Sequence, residues 1–355
     1  MSLLDERLYL EDIKYVADLE YEWNVLEGKT LLLTGATGMI GSFLIDVIMY
    51  RNKKYGMNCK IIALGRNYEK AKMRFETYWE DICFKFINCD INDPIGEGIC
   101  DAVDFIFHAA SNTHPVAYAT EPVQTITTNV IGTYNLLEWG IEHGMKKFLL
   151  ASSVEIYGEN RGDIEEFDES YMGYIDCNTL RAGYPESKRV SEALCQAYSM
   201  KYKCEIGIAR IARVYGPTLQ SSDTKALSQF LKKGIKKEDI VLKSNGEQFY
   251  SYVYVADVAA ALLLILMSGQ NGEAYNIADA YSNIRLKDLA KIIADYAGTK
   301  VIFEIPDEVE AMGYSKATKA IMDAKKIQSI GWKAHYSINE GLVRTIKIME
   351  ELEWR

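Results

Sequence analysis

No run in these 355 residues approaches the roughly 20 consecutive apolar positions that a membrane-spanning helix needs. The opening stretch, Met1 to Arg7, has neither the basic leader nor the apolar segment of a secretory signal. Both absences point to a cytoplasmic protein with no membrane partner. Positive charge is also short. Lys and Arg number 40 against 50 Asp and Glu, for a net charge of −10. Nucleic acid demands a basic face that neutralises phosphates, and none is visible, so it is not an expected partner. A small anionic ligand stays admissible, because a few Arg side chains and backbone N–H groups can hold a diphosphate on an acidic protein. The four histidines lie far apart, and the cysteines (Cys59, Cys83, Cys89, Cys100, Cys177, Cys195, Cys204) are odd in number and form no CxxC pair. A metal site is therefore not expected, and the thiols read as reduced core residues.

What is present is an ordinary globular composition, 48% hydrophobic and 25% charged, with no internal repeat and no low-complexity linker. The length suits one large α/β domain with a smaller annex. Residues 1–27 read as an extension. Leu10, Ile13, Tyr15, Val16 and Leu19 fall at roughly helical spacing among acids, which predicts a helix packed on the domain surface. From Lys29 short β-rich runs alternate with longer helical stretches, the pattern of a parallel sheet covered on both faces. Strands are predicted at Thr30–Thr34, Lys60–Leu64, Phe84–Asn88, Phe105–His108, Lys147–Ala151 and Glu205–Arg210. Helices are predicted near Ile40–Arg51, Tyr68–Trp79, Val123–His143 and Tyr184–Tyr202. The alternation breaks down after Pro217, where the apolar helix Ala256–Met267 and a mixed tail follow. Residues 28–215 thus read as a dinucleotide-binding domain. Residues 216–355 read mainly as a substrate-binding region, with some elements returning to the first domain. The Lys-rich stretch Lys232–Lys237 reads as a solvated helix face.

The strand Leu31-Leu32-Leu33-Thr34 runs into Gly35-Ala36-Thr37-Gly38-Met39-Ile40-Gly41, a glycine-rich turn that opens a helix. Gly35 permits the tight turn, Gly38 lets backbone approach a pyrophosphate, and Gly41 lets helix and strand pack closely. The helix N-terminus, from Thr37 through Met39 and Ile40, then offers N–H groups and a positive dipole end to phosphates. Glycines in this strand–turn–helix context mark a dinucleotide site on a doubly wound, Rossmann-type α/β fold.

The spacing Gly-x-x-Gly-x-x-Gly resembles that of the extended short-chain dehydrogenase/reductases, and specifically the NAD-dependent epimerase/dehydratase family that modifies nucleotide sugars. Further matches follow in family order from about Lys29 to Lys347. Cys89-Asp90-Ile91 resembles the segment whose Asp meets adenine, and His108-Ala109-Ala110-Ser111 the segment beneath the nicotinamide ribose. Asn129-Val130-Ile131-Gly132-Thr133 resembles the central-helix motif whose Asn holds the active-site geometry. The second strand ends Leu64-Gly65-Arg66, with Gly65 where an acid would bind the ribose 2′-OH of NAD and Arg66 next to it. Arg66 suits a 2′-phosphate, so NADP is slightly favoured over NAD.

Tyr184-Pro185-Glu186-Ser187-Lys188 is a Tyr-x-x-x-Lys motif that places both side chains on one helix face. The Lys188 ammonium is expected to lower the pKa of the Tyr184 phenol and to hold the nicotinamide ribose, leaving Tyr184 to take a proton from a sugar hydroxyl. Upstream, in Ser152-Ser153-Val154-Glu155-Ile156-Tyr157-Gly158, family register makes Ser153 the hydroxyl that shares the bond to the reacting oxygen. The resemblance makes Glu155 informative. Simple 4-epimerases of the family usually carry a small or hydroxyl residue there, whereas 4,6-dehydratases and UDP-glucuronate decarboxylases carry Glu. A carboxylate at that place can remove or exchange the C5 proton once C4 is a ketone. The dehydratases precede it with an Asp that protonates the departing hydroxyl, and here that residue is Val154.

Two further departures concern the substrate. The usual Asn of Arg-x-x-Asn-x-Tyr-Gly-Pro is Arg213, and the Arg that grips the diphosphate is Tyr250. Ser153, Glu155, Arg213 and Tyr250 are the candidate substrate contacts, with Arg213 placed to take over the diphosphate. The resemblance implies a 4-keto intermediate, a cofactor regenerated within each turnover and a homodimer through the Val123–His143 and Tyr184–Tyr202 helices. Epimerase, dehydratase, decarboxylase and NADPH-consuming reductase chemistries stay open at this point. A non-catalytic dinucleotide-binding sensor is the remote alternative, and the presence of both Tyr184 and Lys188 argues against it.

Overall fold

In a computed structural model, residues 2–113, 118, 120–304 and 318–352 are described. Three runs of apolar residues form strands β1 (Thr30–Thr34), β2 (Lys60–Gly65) and β3 (Phe84–Asn88). Then come β4 (Phe105–His108), β5 (Lys147–Ser153) and β6 (Glu205–Ile211). All six begin where the apolar runs predict, with β2 and β6 one residue longer and β5 two residues longer than expected. The strands are nearly continuously apolar because helices cover both faces of the sheet, so neither face is free to be polar. Before them comes α1 (Arg7–Ala17), and between them run α2 (Met39–Tyr55), α3 (Tyr68–Arg74), α4 (Pro122–Glu142) and α5 (Gly183–Tyr202).

Among the described residues the sheet has seven parallel strands, not six, in the order β10 (Glu273–Ile277), β6, β5, β4, β1, β2, β3. The seventh, β10 (Glu273–Ile277), arrives from beyond Pro217, after the chain has built β7 (Arg213–Tyr215), α6 (Ala226–Ile235), β8 (Ile240–Leu242), β9 (Phe249–Tyr254) and α7 (Val255–Ser268). Strand order reverses between β1 and β4, and in a doubly wound sheet ligands bind at the carboxyl ends of the strands flanking that reversal. α7 is buried on every side from Val255 to Met267, which is why its sequence is apolar all round. Outside the main sheet, β7 pairs with β9, which also pairs with β11 (Asn283–Arg285) and β13 (Lys319–Ala320). β12 (Val301–Phe303) pairs with β8.

The predicted helix Tyr68–Trp79 is shorter. It stops at Arg74 and resumes as a 3-10 turn at Glu76–Tyr78, because Phe75 is fully buried against Phe84 with ring centroids 5.1 Å apart. Lys232 is not simply solvated either, since its ammonium donates to the Ser221 and Asp223 carbonyls, 2.7 Å from each.

The N-terminal extension does more than lie on the surface. Tyr9, Ile13, Val16 and Ala17 of α1 are fully buried. Its acids and phenols enter the core as bonded groups: Tyr9 donates to Asp46 of α2 at 2.5 Å, and Asp12 accepts from Tyr254 at 2.6 Å. Arg344, on the last helix α10 (Ile338–Glu351; α8 is Leu286–Ala297 and α9 Lys325–Ser329), donates to Asp12 at 2.9 Å. A buried carboxylate without such partners would cost several kcal/mol, about 3–5 when one partner of a buried pair is lost. These bonds let charged residues at the start of the chain join its ends to the sheet.

Candidate active site

The strand reversal brings the glycine turn after β1 against the end of β4. Gly35 sits at φ +70°, and a Cβ there would lie 2.8 Å from backbone atoms of Ala109 and Ala110. At Gly41 a Cβ would lie 2.5 Å from the Gly35 carbonyl oxygen. Thr34 ties the two strand ends together: its hydroxyl accepts from the N–H groups of Ala109 (3.2 Å) and Ala110 (3.1 Å) and bonds His108 Nδ1 at 2.8 Å. Gly38 caps α2 with no side chain, so nothing of its own covers that helix end. Gln220 and Thr218, from the loop after β7, bond the carbonyls of Thr37 and Met39 at 2.9 Å each. A glycine-lined turn at a helix N-terminus whose cap carries no side chain fits a dinucleotide pyrophosphate.

At the far end, Arg66 and Asp90 stand 3.9 Å apart, both partly exposed. Asn92 donates to the Asp90 carboxylate from its backbone (3.0 Å) and its side chain (2.9 Å). Ile91 turns inward, filling the space that Gly132 leaves on α4, where a Cβ would meet it at 2.5 Å. Its carbonyl accepts from the Asn135 side chain of α4 at 2.9 Å. Ser111 follows Ala110 at the mouth. Asn129 is fully buried and donates to Ser187 Oγ at 2.8 Å, one residue before Lys188, so it acts on α5 and not from the cleft surface.

Ser153 ends β5 and Tyr184 and Lys188 lie in the first turns of α5. Lys188 donates to the Ala151 carbonyl at 2.8 Å, with its nitrogen 6.0 Å from the Tyr184 ring centre. Here the structure corrects an expectation. Burial pushes the Tyr184 phenol up to about 12, with the Ser153 hydrogen bond pulling the other way. Burial pulls Lys188 down to about 8, and the Glu192 carboxylate offsets part of that. Desolvation outweighs the help that the Ser153 hydroxyl and the Arg181 guanidinium give the phenolate.

Four residues not singled out from the sequence complete the site. Arg181 donates through Nη2 to both Glu155 oxygens at 3.0 Å. Its guanidinium lies 4.8 Å from the Tyr118 ring, and that ring lies 5.0 Å from Tyr184. Lys225 lies 3.5 Å from Thr113 and 3.8 Å from Asp223, its pKa lowered by burial and by Arg213. Glu192 stands behind Lys188. Arg181 lies 26 residues from Glu155 and Glu192 bonds elements far apart in sequence, so only the folded contacts reveal them.

Arg213 and Tyr250 do come together. β7 and β9 run parallel with Arg213 opposite Tyr252, which puts Tyr250 on the same face, and the Arg213 guanidinium stacks 3.4 Å from the Tyr250 ring centre. Arg213 Nη1 is buried with no hydrogen-bond partner. Val154 is buried, and its hydrocarbon side chain has no proton to give. Among the described residues no group of three or more His, Cys, Asp or Glu could hold a metal ion, and no helix is long and apolar enough to cross a membrane.

Residues 31–278 match the model of the NAD dependent epimerase/dehydratase family. UDP-glucuronic acid decarboxylase 6 of Arabidopsis thaliana is 30% identical over 324 residues, 90% of this chain and 88% of the relative. UDP-glucuronic acid decarboxylase 1 of Xenopus tropicalis is 30% identical over 329 residues, 92% of this chain and 73% of the relative. Among solved structures, a dTDP-glucose 4,6-dehydratase of Streptomyces venezuelae bound to NAD superposes with TM-score 0.77 at 24% identity, covering 91% of this chain and 97% of its own. A UDP-glucuronic acid 4-epimerase of Bacillus cereus, in complex with UDP-glucuronic acid and NAD, does so with TM-score 0.77 at 20% identity, covering 91% and 99%. These likenesses establish the fold.

Proposed function

Because this chain belongs to the NAD dependent epimerase/dehydratase family, we propose that it converts a nucleotide-diphosphate sugar through a 4-keto intermediate, with its dinucleotide regenerated in each turnover. The observation that carries this reading is the meeting of Ser153, Tyr184, Lys188 and Glu155 at the end of β5, beside the glycine cradle. Gly35, Gly38 and Gly41 with the N-terminus of α2 would hold the pyrophosphate, Asp90 and Arg66 the adenosine end, and Ala109, Ala110, Ser111 and Lys188 the nicotinamide ribose. When bound, the nicotinamide supplies the hydride acceptor for C4 and the donor for its return. Tyr184 takes the proton of the C4 hydroxyl and Ser153 holds the same oxygen. With the phenol near 12, Tyr184 needs the ammonium of Lys188 and the Ser153 hydroxyl to ionise during the step.

Glu155 then acts at C5, whose proton a neighbouring ketone acidifies. Arg181 holds it in place through both carboxylate oxygens, 3.0 Å from each. Val154 has no proton to give a departing C6 hydroxyl, so the usual 4,6-elimination lacks its acid. Decarboxylation of a nucleotide uronate is the second reading, favoured by the Glu155–Arg181 pair and by the decarboxylases among the relatives. In that case the C5–carboxylate bond breaks, its electrons pass into the C4 ketone as an enolate, and C5 is reprotonated.

Arg213, stacked on Tyr250 with an unpartnered buried nitrogen, takes the diphosphate. The end of β2 favours NADP, since Arg66 follows Gly65 there. The chain pairs with a second copy through the exposed apolar stripe of α4 (Val123, Ile126, Ile131, Tyr134) beside Val190 of α5. Residues 28–215 serve the dinucleotide and most of 216–355 the sugar. The test is incubation with UDP-, dTDP-, GDP- and CDP-sugars, neutral and uronic, in D2O, read by mass and NMR. Deuterium at C5 with no net dinucleotide change supports the reading, loss of carbon dioxide selects decarboxylation, and steady NADPH consumption contradicts both.

A further inference from the structure

We infer that Glu192, outside the reacting group, is the positioning residue that sets both the strand end carrying Ser153 and the charge of Lys188. Its carboxylate accepts from Ser152 Oγ at 2.5 Å, and both groups are buried. Ser152 lies between the two positions that matter. Its predecessor Ala151 supplies the carbonyl that holds Lys188 at 2.8 Å, and its successor is Ser153. Successive side chains on a strand alternate in direction. A bond that fixes Ser152 against α5 therefore fixes the rotation of the strand end on either side of it.

The carboxylate is itself held rigidly. Arg210, paired with Ser152 in the β5–β6 register, donates to Glu192 at 3.1 Å through Nε and 2.8 Å through Nη2. The third nitrogen of Arg210 reaches the Tyr157 hydroxyl at 3.2 Å and the Glu169 carbonyl at 2.7 Å, and Tyr157 in turn donates to Asn276 of β10 at 2.5 Å. A forked guanidinium on a carboxylate fixes orientation as well as charge. The network joins β5, β6, β10 and α5.

Glu192 also lies one helical turn beyond Lys188, on its own face of α5. The groups facing Lys188 are Glu192, Cys195 and Tyr184 from α5 and His108 from β4, with Arg210 of β6 behind Glu192. His108 is held neutral by burial, and Cys195 is held as a thiol by burial. Glu192 is thus the anion that favours the ammonium. Neutralising it removes that support and leaves the Arg210 charge uncompensated, and both changes lower the Lys188 pKa.

This rests on the reading that Lys188 holds the dinucleotide, so the test reads binding by the full chain with no sugar present. Whichever of NAD+ and NADP+ binds more tightly is titrated by calorimetry from neutral to alkaline pH. Wild-type affinity falls as Lys188 loses its proton, near pH 8. In Glu192→Gln that fall moves to lower pH by about half a unit or more, and Glu192→Asp restores it. Ser152→Ala leaves the Glu192–Arg210 pair intact and weakens binding about 3-fold or more with the pH of the fall unmoved, because it removes one hydrogen-bond tether of the strand end. An unmoved limb in folded Glu192→Gln, or unchanged affinity in Ser152→Ala, overturns the inference. Should Glu192→Gln fail to fold, Ser152→Ala decides alone. Lys188→Met separates the two ideas: if it keeps both affinity and the alkaline fall, the assignment of Lys188 is what fails.

Discussion

Gly35→Ala is the sharpest perturbation of the dinucleotide cradle. At φ +70° a Cβ carries the left-handed penalty of about 1 kcal/mol or somewhat more. It also meets three backbone atoms of Ala109 and Ala110 at 2.8 Å, several tenths of an ångström inside ordinary contact. Relief requires the ends of β1 and β4 to part. That strains the two bonds from Ala109 and Ala110 to Thr34 Oγ1, 3.2 and 3.1 Å long, each worth about 1 kcal/mol. The sum is about 3 kcal/mol. With an unfolding entropy near 2.1 cal/mol/K per residue, a chain of this length loses roughly 1.3 °C per kcal/mol, so the melting temperature falls by about 4 °C. Dinucleotide affinity falls at least tenfold, the equivalent of about 1.4 kcal/mol, since the displaced atoms line the pyrophosphate cradle. Gly56→Ala is the matched control, with φ +64° and nothing within 4 Å of its Cβ. It loses about 1 °C and binds normally. Calorimetric melting and dinucleotide titration of the two variants side by side decide the matter. Equal melting losses, or undiminished binding by Gly35→Ala, would refute the reasoning.

Arg66→Ala should weaken NADP+ binding about tenfold, the cost of one charged bond to phosphate, while changing NAD+ binding little; equal losses for both dinucleotides would remove Arg66 from cofactor choice. Arg213→Met should raise KM for the nucleotide sugar about tenfold or more with kcat nearly kept, because the lost contact is to the diphosphate and not to the reacting carbons; a fall in kcat alone would place Arg213 elsewhere. Ile131→Arg, on the exposed stripe of α4, should convert a dimer to a monomer in light scattering with little change in melting temperature, and a mass unaltered by the substitution would show that this face is not the interface.

The dinucleotide half was legible because its physics is local. Strands buried on both faces must be apolar throughout, and the glycine turn between β1 and α2 has few other solutions. Tyr184 and Lys188 were legible for the same reason, being one turn apart on a helix. The rest depended on contacts between distant residues. β10 reads Glu-Ala-Tyr-Asn-Ile, too short and polar to announce a strand, and its Asn276 is buried only because Tyr157 and the carbonyls of Phe167 and Asp323 bond it. Asp12 and Asp46 look like solvated helix charges until Tyr254, Tyr9, Arg344 and Arg74 are seen around them. The Tyr184 phenol shifts upward and not downward because burial, which pattern cannot measure, outweighs the Ser153 hydrogen bond and the Arg181 charge. Glu155 was visible as a carboxylate; its grip on Arg181 was not.

The central claim is that Tyr184 drives an oxidation at the sugar that is reversed before product leaves. It is tested most directly by counting reduced dinucleotide formed per product molecule for wild type and Tyr184→Phe, with the nucleotide sugar that the panel in D2O identifies. The wild type should form many product molecules per enzyme with no net reduced dinucleotide, and Tyr184→Phe should lose turnover by about 100-fold or more. One reduced dinucleotide produced or consumed for each product, or a Tyr184→Phe enzyme that turns over like the wild type, would contradict it.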